Sequence, residues 1–208
     1  MPSDHHPEKP PKPRKPSLHD LTRQLPTTDQ FESIITDAAA MDPRAAALDL
    51  ASITDNLLEF AIRLNFVSLS EKRFNVLFRN PTAPLSSFSA KIAVGHALGL
   101  YGEEFRSQLD RLRGIRNAFA HAMLPVTFDE PLIAEECRKL DPARLTSGQY
   151  KPEENSPRER FTIVSTMIAT HLIKSIGALS HKISVLGPRP PWPDKFEPPL
   201  PPDIQNPN

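Results

Sequence analysis

The sequence predicts an all-α fold, a helical bundle of about six to seven helices, and three observations carry that prediction. Through the middle of the chain, apolar residues recur at three- and four-residue intervals, the spacing of one helix face. No segment shows the apolar/polar alternation of a half-buried strand. Proline is confined largely to the ends: of 24 prolines, six lie within 1–16 and nine within 188–207. The middle is therefore free to be helical, and the 208 residues suffice for one domain with a core that needs no metal or disulfide.

Residues 1–26 read as a disordered, basic, Pro-rich tail (Pro7 to Pro16 is Pro-Glu-Lys-Pro-Pro-Lys-Pro-Arg-Lys-Pro). Its plainest role is solubilising, with weak contact to RNA or an acidic partner as the alternative. Residues 27–186 form the single all-α domain. A first helix is predicted from about Asp29 to Ala40, with Phe31, Ile34 and Ile35 turned inward. Asp42-Pro43 then pairs an N-cap residue with proline at the first helical position. From there Leu50, Ile53, Leu57, Phe60, Leu64 and Val67 form a stripe that Leu48, Leu58 and Ile62 widen, so this helix belongs at the centre of the core. Ser70 to Phe78 is a shorter helix ended by Asn80-Pro81. Ser86 or Ser87 caps the next, which carries Phe88, Ile92 and Leu98 and stops at Gly99 and Tyr101-Gly102. Another helix starts at about Glu103.

After Pro125 a short extended piece, Val126 to Phe128, leads to Asp129-Glu130-Pro131 and a helix reaching about Leu140. Residues 141–156 read as a loop. The last helix runs from about Pro157 to Val185, with Phe161, Val164, Ile168, Leu172, Ile176, Leu179 and Ile183 on one stripe. Residues 187–208 are a second Pro-rich tail, also read as disordered. Its Trp192 and Phe196 give it apolar weight suited to packing on the body or on a partner.

Composition narrows the function. With 25 basic and 25 acidic side chains the formal net charge is zero, which disfavours duplex DNA as a ligand, since phosphate contacts dominate that affinity. One cysteine, Cys137, excludes an internal disulfide and fits a reducing cytoplasm. The first residues lack the apolar core of a signal peptide, and no unbroken apolar run approaches the roughly 20 residues that span a bilayer. A soluble cytoplasmic protein with no membrane association is expected. There is no glycine-rich phosphate loop, no metalloprotease motif, and no His preceded three positions earlier by Glu, so neither a metal nor a cofactor is expected.

The chemistry concentrates in Gly114-Ile115-Arg116-Asn117-Ala118-Phe119-Ala120-His121. Phe105, Leu109, Leu112, Ile115, Phe119 and Met123 share one helix face, and Arg116 projects onto it close to its centre. A guanidinium there must find an acceptor, because an unpaired buried charge is very costly. Asn117 and His121, four apart, stand one turn above each other on a more polar side. Arginine can hold phosphate in a two-pronged grip, and histidine titrates near neutrality. Read without further context, the three residues are a satisfied core arginine, a helix-end hydrogen bonder and part of a C-cap.

Arg-Asn followed by three residues and histidine resembles the Arg-x-x-x-x-His motif of the HEPN superfamily. Many of its members are dimers in which two copies of the motif form a metal-independent RNA-cleaving site. The resemblance implies His121 as general base or acid, Arg116 as the group that stabilises charge on phosphate, and Asn117 as their orienter. A longer similarity covers roughly residues 45–185. The blocks Pro84 to Ile92, Ala97-Leu98-Gly99-Leu100 and Leu112 to His121 are similar in order and spacing to the mannitol operon repressor family. That resemblance implies an all-helical regulator of transcription acting through an unidentified protein partner, with no DNA-reading module. No helix-turn-helix is present here, and Arg106, Arg111, Arg113 and Arg116 are scattered around their helix with Asp110 among them.

Two functions of different kinds therefore stand side by side. One is a regulatory protein, expected as a homodimer, working through protein-protein contacts. The other is an endoribonuclease with Arg116, Asn117 and His121 as its catalytic residues, and RNA as its substrate.

Secondary sites are fewer. Ser87, Ser89 and Lys91 near a helix start form a candidate anion site, with a capped helix and a solvated lysine as the plainer reading. His96, flanked by Gly95 and Gly99 that permit close helix approach, reads as a hydrogen-bonded interior residue. His171 and His181 read as edge and surface residues, and Cys137 as a small core residue.

Overall fold

The computed structural model describes residues 25–80, 82–145 and 155–186, which form seven α-helices and no strand. They are α1 (Thr28–Ala40), α2 (Pro43–Leu64), α3 (Glu71–Phe78), α4 (Phe88–Ala97), α5 (Glu103–His121), α6 (Pro131–Arg138) and α7 (Pro157–Leu186), with a 3-10 turn at Pro142–Arg144 between the last two. Most of both predicted tails, including Trp192 and Phe196, lies outside the described residues.

The helix starts follow side-chain chemistry. Thr27 and Gln30 cap α1 reciprocally. Asp42 accepts from the Arg44 and Ala45 amides ahead of Pro43. Ser70 and Ser87 each cap the third amide of their helices, settling the choice between Ser86 and Ser87. Gly99 has φ +70°, the left-handed conformation that lets the chain leave α4. Glu130 begins α6 with no side-chain cap, and Val126 and Thr127 take no regular structure.

Helix α2 is the hub: it packs most extensively on α7 and also on α5, α4 and α1. Its Leu50, Leu57, Leu58, Ala61 and Ile62 are buried, and they meet Phe161, Val164, Ile168 and Leu172 of α7 in one core cluster. Burying a leucine or phenylalanine side chain in this way stabilises by roughly 1.5–3 kcal/mol. Val67 falls beyond the end of α2 and is only partly buried, because Asn65 caps the helix. Phe128 sits between Phe119 (4.7 Å) and Phe161 (5.4 Å), closing the bundle where α5 gives way to α6.

By length and mean hydropathy, Pro157–His181 within α7 passes as a bilayer-spanning segment. The same helix puts Phe161, Val164, Ile168, Ala169, Leu172 and Ile176 into the core, and a core helix meets that criterion equally well.

Candidate functional site

The buried face of α5 is formed by Gln108, Leu109, Leu112, Ile115 and Phe119. At about 100° per residue, the centre of that face, with Gln108 gained and Met123 lost, lies about 20° from that of the expected stripe and roughly 55° from Arg116. Arg116 is therefore half-buried on its flank, not central to the core as the periodicity suggests. Met123, expected on the stripe, lies past the end of α5 and is fully exposed.

That flank faces the start of α4. Arg113, Arg116 and Asn117 of α5, Ser86, Ser87 and Ser89 at the N-terminus of α4, and Ser52 and Asp55 of α2 line a cleft of about 280 Å³. Arg116 Nη1 donates to Asn117 Oδ1 at 3.2 Å. Among the described residues, no carboxylate lies within ion-pair distance of its guanidinium. Arg113 reaches Asp110 Oδ1 from both Nε and Nη2 at 3.4 Å. Ser87 Oγ accepts the Ala90 amide at 3.2 Å and lies 3.1 Å from Ser89 Oγ.

Beneath the cleft lies a buried charge network. Lys91 Nζ is 2.8 Å from Asp55 Oδ1 and 3.1 Å from Glu59 Oε2, and Glu59 Oε1 accepts from Arg79 Nη2 at 2.7 Å. The Lys91–Asp55 contact is a close ion pair whose alignment is poor for a hydrogen bond. Lys91 and Glu59 are each 3% exposed, so Lys91 is neither the solvated lysine nor the anion ligand that its position suggested. Burial holds the Asp55 carboxyl above its usual range; the charges of Lys91 and Arg116 pull the other way without cancelling it. Lys91 is engaged by Asp55 and Glu59, Arg79 by Glu59 and Arg113 by Asp110, while the Arg116 guanidinium meets the side-chain amide of Asn117.

The structure thus brings together four of the predicted site residues, Arg116, Asn117, Ser87 and Ser89. It does not bring His121 to them. His121 is the last residue of α5 and exposed, and its side chain makes no hydrogen bond or ion pair among the described residues. The helix stays α to its end, so His121 and Arg116 diverge by about 140°. Sequence reasoning missed Ser52, Asp55 and Arg113. Glu59, lodged in Leu57-Leu58-Glu59-Phe60-Ala61-Ile62, was the signal that a buried cation lay opposite α2.

The remaining candidates are structural. His96 Nδ1 lies 3.2 Å from the Tyr101 carbonyl oxygen and Nε2 lies 3.3 Å from Glu103. His171 is exposed and its ring lies tilted at 50° to that of Phe105, centroids 4.8 Å apart, while His181 is on the surface. Cys137 is fully buried, and burial pushes its thiol up to about 12, away from reactivity. Among the described residues, no three His, Cys, Asp or Glu side chains gather as a metal site. A cavity of about 500 Å³ between α1 and α2 contains no titratable side chain. A cleft of about 310 Å³ beside α6 is lined by Arg111, Arg138, Lys139, Asp141 and Arg160. Of these, Arg111 and Lys139 are paired with glutamates and Arg160 donates to the Arg138 carbonyl. The 280 Å³ cleft is the one that holds predicted site residues. No protein-family model, curated protein or solved structure matches the chain.

Proposed function

We propose that this chain is a helical regulatory protein of the mannitol operon repressor type, acting in the cytoplasm as a homodimer through protein-protein contacts. The observation that carries this reading is the separation within α5: Arg116 and Asn117 open into the cleft while His121 leaves on another side. One chain therefore has no histidine beside Arg116, and the acid/base role that the motif would give His121 in RNA transesterification is unfilled there. Asp55, the carboxyl that borders the same cleft, is engaged by Lys91. Apolar contact points for a partner exist where α5 ends and α6 begins, with Met123 100%, Leu124 75% and Leu132 74% exposed.

Direct DNA reading is disfavoured by how the arginines of α5 are used. Arg106 pairs with Glu103 and Asp110, Arg111 with Glu136, and Arg113 with Asp110. Fluorescence anisotropy of a mixed-sequence duplex, titrated at 50 and 200 mM salt, tests this half of the proposal. No saturable binding at micromolar protein is expected. Tight binding that weakens steeply with salt, the signature of counterion release, contradicts it.

One observation favours the alternative, a metal-independent endoribonuclease. His121 is exposed and unengaged among the described residues, so in a dimer it is free to approach the Arg116 of a second copy.

A further inference from the structure

The cleft bordered by α2, α4 and α5 gathers hydrogen-bond donors from two elements. Its rim carries a guanidinium with no carboxylate partner among the described residues, a second guanidinium held only at 3.4 Å by Asp110, and the side-chain amide of Asn117. Opposite them stand the hydroxyls of Ser86, Ser87 and Ser89, at the start of a ten-residue helix. The first amides of a helix have no intrahelical acceptor; here Ser87 takes the Ala90 amide, and no acceptor among the described residues takes those of Phe88 and Ser89. Lys91 does not contribute, because Asp55 and Glu59 absorb its charge.

We infer that this cleft binds a compact phosphate monoester, its phosphoryl oxygens held between Arg116, with Arg113 beside it, and the serine hydroxyls of α4. A guanidinium fork matches two phosphoryl oxygens at once, and hydroxyl and amide donors complete the shell. Asp55 borders the same space and repels a fully ionised ligand at that end. It therefore faces the part of the ligand that carries a proton or a hydroxyl, for which a carboxylate is an acceptor. The volume of about 280 Å³ corresponds to roughly nine water volumes at ~30 Å³ each, enough for a phosphoryl group and a short organic body. The inference does not rest on the regulatory reading, since a nuclease or a regulator could carry such a site.

The test is calorimetry on the full chain with inorganic phosphate and with glycerol 3-phosphate, at constant ionic strength. Wild type, Arg116→Gln, Ser89→Ala and Lys139→Gln are compared, each first shown to be folded by circular dichroism. The expected result is saturable binding of both ligands by wild type and Lys139→Gln, at least tenfold weaker in Arg116→Gln and measurably weaker in Ser89→Ala. If Arg116→Gln does not fold, Arg113→Gln replaces it and a several-fold loss is expected. Equal binding by wild type and the arginine variant, or no binding by wild type, overturns the inference. Arginine-dependent binding of single-stranded RNA without binding of either small ligand overturns it as well, and points to a phosphodiester strand.

Discussion

Lys91 is where the charge balance of the molecule is decided. Its ammonium serves two carboxylates of α2, one turn apart, and Arg79 serves the second of them. Removing one member of a buried pair leaves its partner uncompensated, at a cost of about 3–5 kcal/mol. Lys91→Met should therefore lower the unfolding free energy by about that amount, read from urea denaturation; a loss below about 1 kcal/mol contradicts the network. Asp55 gives an independent check in pH. Its carboxyl is raised above the ordinary 3.8, mainly by burial, so between that value and the folded one the folded state holds a proton that the unfolded state has already released. Its contribution to stability thus falls as pH rises from about that ordinary value through the folded one. The unfolding free energy of wild type minus that of Asp55→Asn should fall across that window, and a rise contradicts the assignment. Neither role could be read from the sequence around Lys91, because both partners lie more than thirty residues away on α2.

Among the elements, α4 is the most constrained. Gly95 faces Tyr101, whose hydroxyl donates to the Ile92 carbonyl at 2.8 Å; a Cβ at Gly95 would stand 2.6 Å from that hydroxyl and 3.0 Å from Leu58 Cδ1. Gly95→Ala should cost about 1–3 kcal/mol by overpacking, seen as a lowered thermal midpoint. An unchanged midpoint would mean that α4 is free to shift. Boundaries of this kind were legible: Asp42-Pro43, Ser70, Ser87 and Gly99 are local signals that act within a few residues. The rotation of α5 was not. Apolar spacing alone placed Arg116 near mid-stripe, whereas Gln108, whose Oε1 accepts the Asp141 amide at 3.0 Å, is buried and Met123 is not, so the buried face is centred further from Arg116 and leaves it on the flank. A buried polar residue satisfied by a distant backbone group leaves no mark on hydrophobic periodicity.

For the whole molecule, the bundle joins sites that seemed separate and parts residues that seemed joined. Ser87 and Ser89 lie almost thirty residues before Arg116, yet they share its cleft; His121 lies five residues after it and does not. That inversion is set by α2, against which α4 and α5 both pack, and it is the basis for reading the chain as a binding protein rather than a nuclease. The most direct test is cleavage of mixed single-stranded RNA in EDTA by wild type, Arg116→Ala and His121→Ala, all confirmed folded. The account predicts no cleavage above a protein-free control by any of the three. Wild-type cleavage to 2′,3′-cyclic phosphate ends, lost in both variants, would contradict it and make Arg116 and His121 members of one composite catalytic site.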